Sequence, residues 1–190
     1  IVDERIFATG RGGADLAAVF VCCGGPSLAP KDARFTLAVQ TSNARRRSLQ
    51  FLTGLTFGDR GGIVTHEIGA SPYHVKGNSV NSTCRSSVLE FMDCCDLMNE
   101  AIKEFSLTMS SSRAEHLLCE AGRKGYMPWS RLGMVDKDFR KGIDETKDQS
   151  YWRLLRSFGR VVLKNPPLDQ LDQLNKFSQL CQRQTMMRSA

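Results

Sequence analysis

No apolar run in this chain of 190 residues is long enough to cross a bilayer. The longest, Ala14 to Cys23, is broken by Asp15 and covers about half of the roughly 20 residues that a spanning helix needs. Catalytic signatures are missing as well. Gly10-Arg11-Gly12-Gly13 and Asp59-Arg60-Gly61-Gly62 are not followed by Gly-Lys-Ser/Thr, so neither is a phosphate-cradling P-loop, and neither completes a dinucleotide fingerprint. Their glycines read as tight turns, and two isolated Arg-Gly-Gly units fall short of a flexible RNA-binding tract. The Gly-x-Ser-x-Gly elbow and the Ser-x-x-Lys motif are absent. There is no internal repeat and no low-complexity segment. Ile1-Val2-Asp3-Glu4-Arg5 lacks the basic start and apolar stretch of a signal peptide, so nothing there argues for secretion.

What is present is a composition of ordinary globular kind, 41% hydrophobic and 24% charged, which predicts a folded chain of one domain over residues 1–190. Seven cysteines are an odd number, and the adjacent pairs Cys22-Cys23 and Cys94-Cys95 are poorly placed to bridge within a regular element. They read as reduced thiols, which implies a cytoplasmic or other reducing compartment. Cys94, Cys95, Cys119 and Cys181 fall in predicted helices, where a free thiol behaves as a small buried hydrophobe. The Asn81-Ser82-Thr83 glycosylation pattern would go unused in such a compartment.

Periodicity divides the chain into a strand-rich half, 1–84, and a helical half, 85–190, and the fold class it predicts is α+β, with an antiparallel sheet or small sandwich followed by about four helices. Phe35, Leu37 and Val39 alternate with Thr36, Ala38 and Gln40, the period of a strand with one buried face. Phe51, Thr53, Leu55 and Phe57 continue a second strand to the turn at Gly58–Gly62, and Ile63 to Ile68 returns. With Val19–Cys23 and Tyr73–Lys76 as shorter candidates, four to six mainly antiparallel strands precede Asn81. The spacing Ser87-Val88-Leu89-Glu90 predicts a capping box opening a helix whose apolar stripe includes Val88, Phe91, Met92, Cys95, Met98, Ile102 and Phe105. Ser112-Arg113-Ala114-Glu115 predicts a second, stopped by Gly122. Gly125, Pro128 and Gly133 suggest an irregular link whose Tyr126 and Trp129 cover the core. Ser150 caps a third helix, Tyr151 to Lys164, ended by Asn165-Pro166-Pro167. The last carries the stripe Leu168, Leu171, Leu174, Phe177, Leu180 and Cys181, flanked by Gln170, Gln173, Gln179 and Gln182, a surface that can pack against a second copy of the chain as easily as against its own core.

Charge supplies the functional reading. The net charge is +6, and residues 151–190 alone carry +5. Arg153, Arg156, Arg160 and Lys164 are three, four and four residues apart and form one stripe on a helix. Arg45, Arg46 and Arg47 cluster between the two best strands. A like-charged row is best tolerated opposite an anion, so these seven residues are the candidate site for nucleic-acid phosphate, RNA more than DNA. An anionic membrane surface is the alternative partner. The acidic side chains Glu90, Asp93, Asp96, Glu100 and Glu104 are the internal partners that would make the row merely structural. His66-Glu67, His74 and Cys84 match no metal-site spacing, so no metal or cofactor is expected. Cys22 or Cys23 with His66 or His74 as base is the rival enzymatic arrangement, a small cysteine-dependent enzyme. The favoured expectation is a non-enzymatic, self-associating interaction protein that binds RNA. As a class, such a compact, basic, thiol-bearing unit resembles the coat, matrix or nucleocapsid proteins of RNA viruses, which would place it in a virion or the cytoplasm.

Overall fold

The computed structural model describes residues 3–9, 15–22, 33–42, 49–57, 62–71, 78–165 and 167–186. Five strands, β1 (Asp3–Thr9), β2 (Asp15–Val21), β3 (Ala33–Ser42), β4 (Leu49–Phe57) and β5 (Gly62–Ser71), form an antiparallel sheet whose spatial order follows the chain. Helices α1 (Asn78–Phe105), α2 (Ser111–Arg123), α3 (Trp129–Thr146), α4 (Tyr151–Val162) and α5 (Pro167–Met186) complete an α+β architecture among the described residues. The expected strand at Tyr73–Lys76 and the turn at 58–61 lie outside them.

The apolar alternation of β3 sets its register, with Phe35, Leu37 and Val39 opposite Leu55, Thr53 and Phe51 of β4. Leu37 and Phe51 pack with Phe91 and Cys94 of α1. The opposite face is not left to solvent, contrary to the one-sided strand that the alternation implied. Thr36, Ala38 and Gln40 of β3 and Leu52 of β4 are buried too, and Ala38 and Leu52 belong to the same core cluster as Leu171 and Phe177 of α5. Helix α5 touches β5 and β2, strands three places apart, so it lies across the sheet and not along one strand. The polar side chains trapped there pair across strands, Gln40 Nε2 donating to Gln50 Oε1 at 2.6 Å and Thr36 Oγ1 to Thr56 Oγ1 at 3.3 Å. Most buried polar groups find such partners, although Gln40 Oε1 itself accepts from none.

Helix α1 begins at Asn78, nine residues before the expected cap, and Ser87 is a buried residue in its middle. The inward seam is Ser87, Phe91, Cys94 and Phe105, which turns Val88, Leu89 and Met92 outward, the last two 68% and 64% exposed. The cap of α2 is Ser110 and not Ser112, its hydroxyl accepting from Arg113 N at 3.3 Å. Gly122 sits inside α2, and the left-handed residue is Gly125 (φ 69°), where Gly125 N donates to Gly122 O and Tyr126 N to Ala121 O. Those two bonds close the helix C-terminus in the Schellman pattern, which glycine enters without strain.

Helix α3 replaces the expected irregular link. Its buried positions Leu132, Val135, Phe139 and Gly142 recur at helical spacing. Trp129 is 57% exposed and lies over Gly122, so it does not cover the core as expected. Helix α4 opens on the predicted cap, Ser150 Oγ accepting from Arg153 N at 3.3 Å, and ten of its twelve residues are buried. Its Trp152 Nε1 donates to Ser106 Oγ at 3.1 Å while the indole meets Phe105 edge-on.

Leu171, Leu174, Phe177, Leu180 and Cys181 of α5 are buried within the chain. The stripe read as a surface for a second copy is therefore filled by the protein's own core. Its glutamines are engaged as well, Gln170 Nε2 donating to the Leu163 and Asn165 carbonyls at 3.2 and 2.6 Å just past α4, and Gln173 Oε1 accepting from Asn165 Nδ2 at 2.6 Å.

The Phe158 and Phe177 rings stack with centroids 3.9 Å apart and an interplanar angle of 8°, joining α4 to α5 where neither ring is exposed. Phe158→Ala is expected to lower unfolding free energy by about 3–5 kcal/mol, because transfer energy is lost and a cavity is left. Urea denaturation followed by circular dichroism measures the loss. A change below about 1 kcal/mol would contradict this packing.

Candidate functional site

The arginines of α4 share one face of a helix whose other face is apolar, and that polar face is turned toward α3. Helices α3 and α4 are joined by a short connection and pack antiparallel. On α3, Asp138, Lys141 and Glu145 are three and four residues apart, the same spacing as Arg153, Arg156 and Arg160 on α4. The two rows therefore lie side by side along the seam. Arg160 Nη1 donates to both Asp138 oxygens, at 3.0 and 2.9 Å. Lys141 Nζ stands 3.6 Å from Glu145 Oε1 in an exposed pair, a type that contributes little in water. Arg140 turns to the other side and engages Asp136 and Glu115.

Arg153 lies deepest, only 9% exposed. Its guanidinium rests directly on Gly142, where a Cβ would fall inside it, so only glycine leaves the room. Its Nε is buried without an acceptor, and among the described residues no carboxylate pairs with it. Together the two rows line a cavity of about 420 Å³ that holds Lys141 and the three arginines against Asp138 and Glu145. Lys164, beyond the end of α4, is exposed.

The expectation of an outward-facing cationic stripe is thus corrected for most of its length. Arg153 is packed beneath α3, Arg160 is ion-paired, and Arg156 is half-buried at the cavity wall. Among the described side chains the internal acidic partner comes from α3, while Glu90 and Asp93 of α1 are exposed and Glu104 accepts from Thr185 Oγ1 at 2.8 Å; the side chains of Asp96 and Glu100 lie outside those described. Residues Asp138, Lys141 and Glu145 escaped the sequence reading because α3 itself did. The matching three-and-four spacing was the signal that could have found them. Arg45, Arg46 and Arg47 lie outside the described residues.

The cysteine arrangement is only partly described. Cys22 is half-buried against an apolar cluster that includes Leu37 and Phe51, whereas Cys23, His74 and the side chain of His66 lie outside the described residues. Cys22, Cys94, Cys95, Cys119 and Cys181 are free thiols. Cys119 is exposed, so it is not the buried hydrophobe its helix suggested. Burial pushes the Cys181 thiol far above its ordinary value, and burial with nearby Glu90 and Asp93 raises that of Cys94. Among the described residues no three His, Cys, Asp or Glu side chains gather as a metal site, and no helix is long and apolar enough to cross a membrane. Compared with known proteins, the chain matches no family model, no curated protein and no solved structure.

Two outcomes follow from this geometry. Gly142→Ala is expected to drive the Arg153 guanidinium from its seat and to cost about 1–3 kcal/mol through overpacking, read by chemical denaturation. An unchanged midpoint would show that the guanidinium is not seated there. The second concerns Cys181, whose raised value means that the folded state keeps a proton that the unfolded chain releases. Its stabilising share is complete below the ordinary thiol range and declines as pH rises through about 8.5 and beyond. Denaturation midpoints of the unaltered protein are expected to fall across that alkaline range more steeply than those of Cys181→Ala. Parallel declines would contradict the buried thiol.

Proposed function

We propose that this chain is a non-enzymatic interaction protein that binds nucleic-acid backbone, RNA in the first place, at the α3–α4 groove. The observation that supports this reading most directly is the assembly of Lys141 with Arg153, Arg156 and Arg160 around one cavity in which cations outnumber carboxylates by two. Arginine forks suit phosphate oxygens, and a cationic recess concentrates polyanions near it. Exposed Lys164 extends the charge past the groove mouth. Arg45, Arg46 and Arg47 remain part of the proposal as a second contact. A reducing compartment or a virion interior goes with this reading, since the described thiols are free.

The test uses the two exposed lysines, because replacing Arg153 or Arg160 would disturb packing or orphan Asp138. Binding of a short single-stranded RNA by the full chain is followed by fluorescence anisotropy across a salt series. Affinity is expected to fall steeply with salt, and Lys141→Gln with Lys164→Gln is expected to make the log–log slope shallower by about 1.4, or 0.7 per lost phosphate contact. An identical slope in the double variant removes the groove from the proposal, and salt-independent or absent binding removes nucleic acid from it.

A further inference from the structure

We infer that the outward face of α1 is a dimerisation surface, on which a second copy of this chain packs antiparallel about a twofold axis. The inference goes beyond nucleic-acid binding and uses none of the groove residues.

Burial defines the face. Ser87, Phe91 and Cys94 turn into the core, which leaves Val88, Leu89 and Met92 exposed within five residues on the other side of the helix. Single exposed apolar side chains are ordinary, whereas a contiguous group with a charged rim marks a place of association. The rim decides what associates. It consists of Arg85, one turn before Leu89, and of Glu90 and Asp93, all exposed, and among the described residues none of the three has an ion pair within the chain. One cation against two carboxylates makes nucleic acid or an anionic membrane an unfavourable occupant here, although the chain as a whole carries +6. A second copy satisfies the same rim.

A twofold interface has to be self-complementary, and the order of cation, apolar pair and carboxylate along α1 becomes so when the partner helix runs the opposite way. Leu89 and Met92 of one copy then meet Met92 and Leu89 of the other, and each Arg85 comes alongside the partner's Asp93. A parallel pair would set Arg85 on Arg85 and Asp93 on Asp93, which repel. Exposed Ser82 and Ser86 flank the face, and Ser86 Oγ donates to Ser82 O at 3.1 Å inside its own helix. Such small side chains let a partner approach closely.

The experiment is sedimentation velocity of the full chain over a concentration series, without RNA. The unaltered protein is expected to pass from monomer to dimer as concentration rises, and Leu89→Gln with Met92→Gln to weaken that association about a hundredfold, since four apolar side chains per dimer lose their burial. Both positions are exposed, so the thermal midpoint of the monomer is expected to stay unchanged. Charge exchange tests the orientation. Arg85→Glu alone and Asp93→Arg alone each bring like charges together at both ends of the interface and are expected to weaken association about tenfold, whereas the two combined restore it to within about threefold. A chain that stays monomeric at every concentration, or a dimer indifferent to Leu89→Gln with Met92→Gln, overturns the surface. Single exchanges without effect, or a loss that the combined exchange does not recover, overturn the antiparallel pairing.

Discussion

Helix α4 buries ten of its twelve residues, and that degree of burial forces everything around it. A helix this deeply buried belongs in a core, yet this one also carries three arginines. Their heads have to emerge along a single seam, and α3 provides it. Its own row has the same spacing, so Asp138 meets Arg160 and Gly142 meets Arg153 as the helices run antiparallel. The other elements close round the same helix. Trp152 ties it to Phe105 and Ser106 at the end of α1, Phe158 stacks on α5, and Gln170 of α5 bonds the carbonyls just past its last turn. In this sense the helical half is a set of partners for α4, and the candidate site is the seam left where apolar packing gives way to charge.

Much of the architecture was legible because it rests on periodicity. The alternation of Phe35, Leu37 and Val39 marked β3, and the registers follow from it. What alternation hid was the second buried face. Thr36 and Gln40 are polar, and a polar residue in an alternating strand reads as solvent-facing unless its cross-strand partner is known. Element ends were read less well for a related reason. Ser87 has a glutamate three residues on and so imitates a capping box, but a cap acts only where the helix has free N–H groups, and α1 was already nine residues long there. Gly122 and Gly125 are equally good helix stops in sequence. Geometry chose Gly125, which of the two is the one that takes positive φ.

The site was legible as charge and illegible as shape. A spacing of three and four residues shows that Arg153, Arg156 and Arg160 share a helix face, but it does not show what that face meets. The answer depended on α3, whose two glycines and dense charge between Asp136 and Asp148 mask an apolar seam of Leu132, Val135, Phe139 and Ile143. Once that helix exists, the stripe can no longer be a solvated row. It becomes one wall of a recess, with a lysine and two carboxylates facing it.

The residues at the bottom of that recess point the same way for independent reasons. Glycine inside a helix is less favourable than alanine by about 1 kcal/mol, and Gly142 sits inside α3, buried, where an alanine would ordinarily pack well. Burying an arginine without a partner is less favourable still. Each choice alone is a local inconsistency. Together they are one arrangement, because the missing Cβ is what gives the guanidinium its seat. Local rules in a folded sequence are broken at strained or functional places, where something else offsets the loss. Within the described residues no carboxylate supplies that offset to Arg153 Nε, and Asp138 is already paired with Arg160.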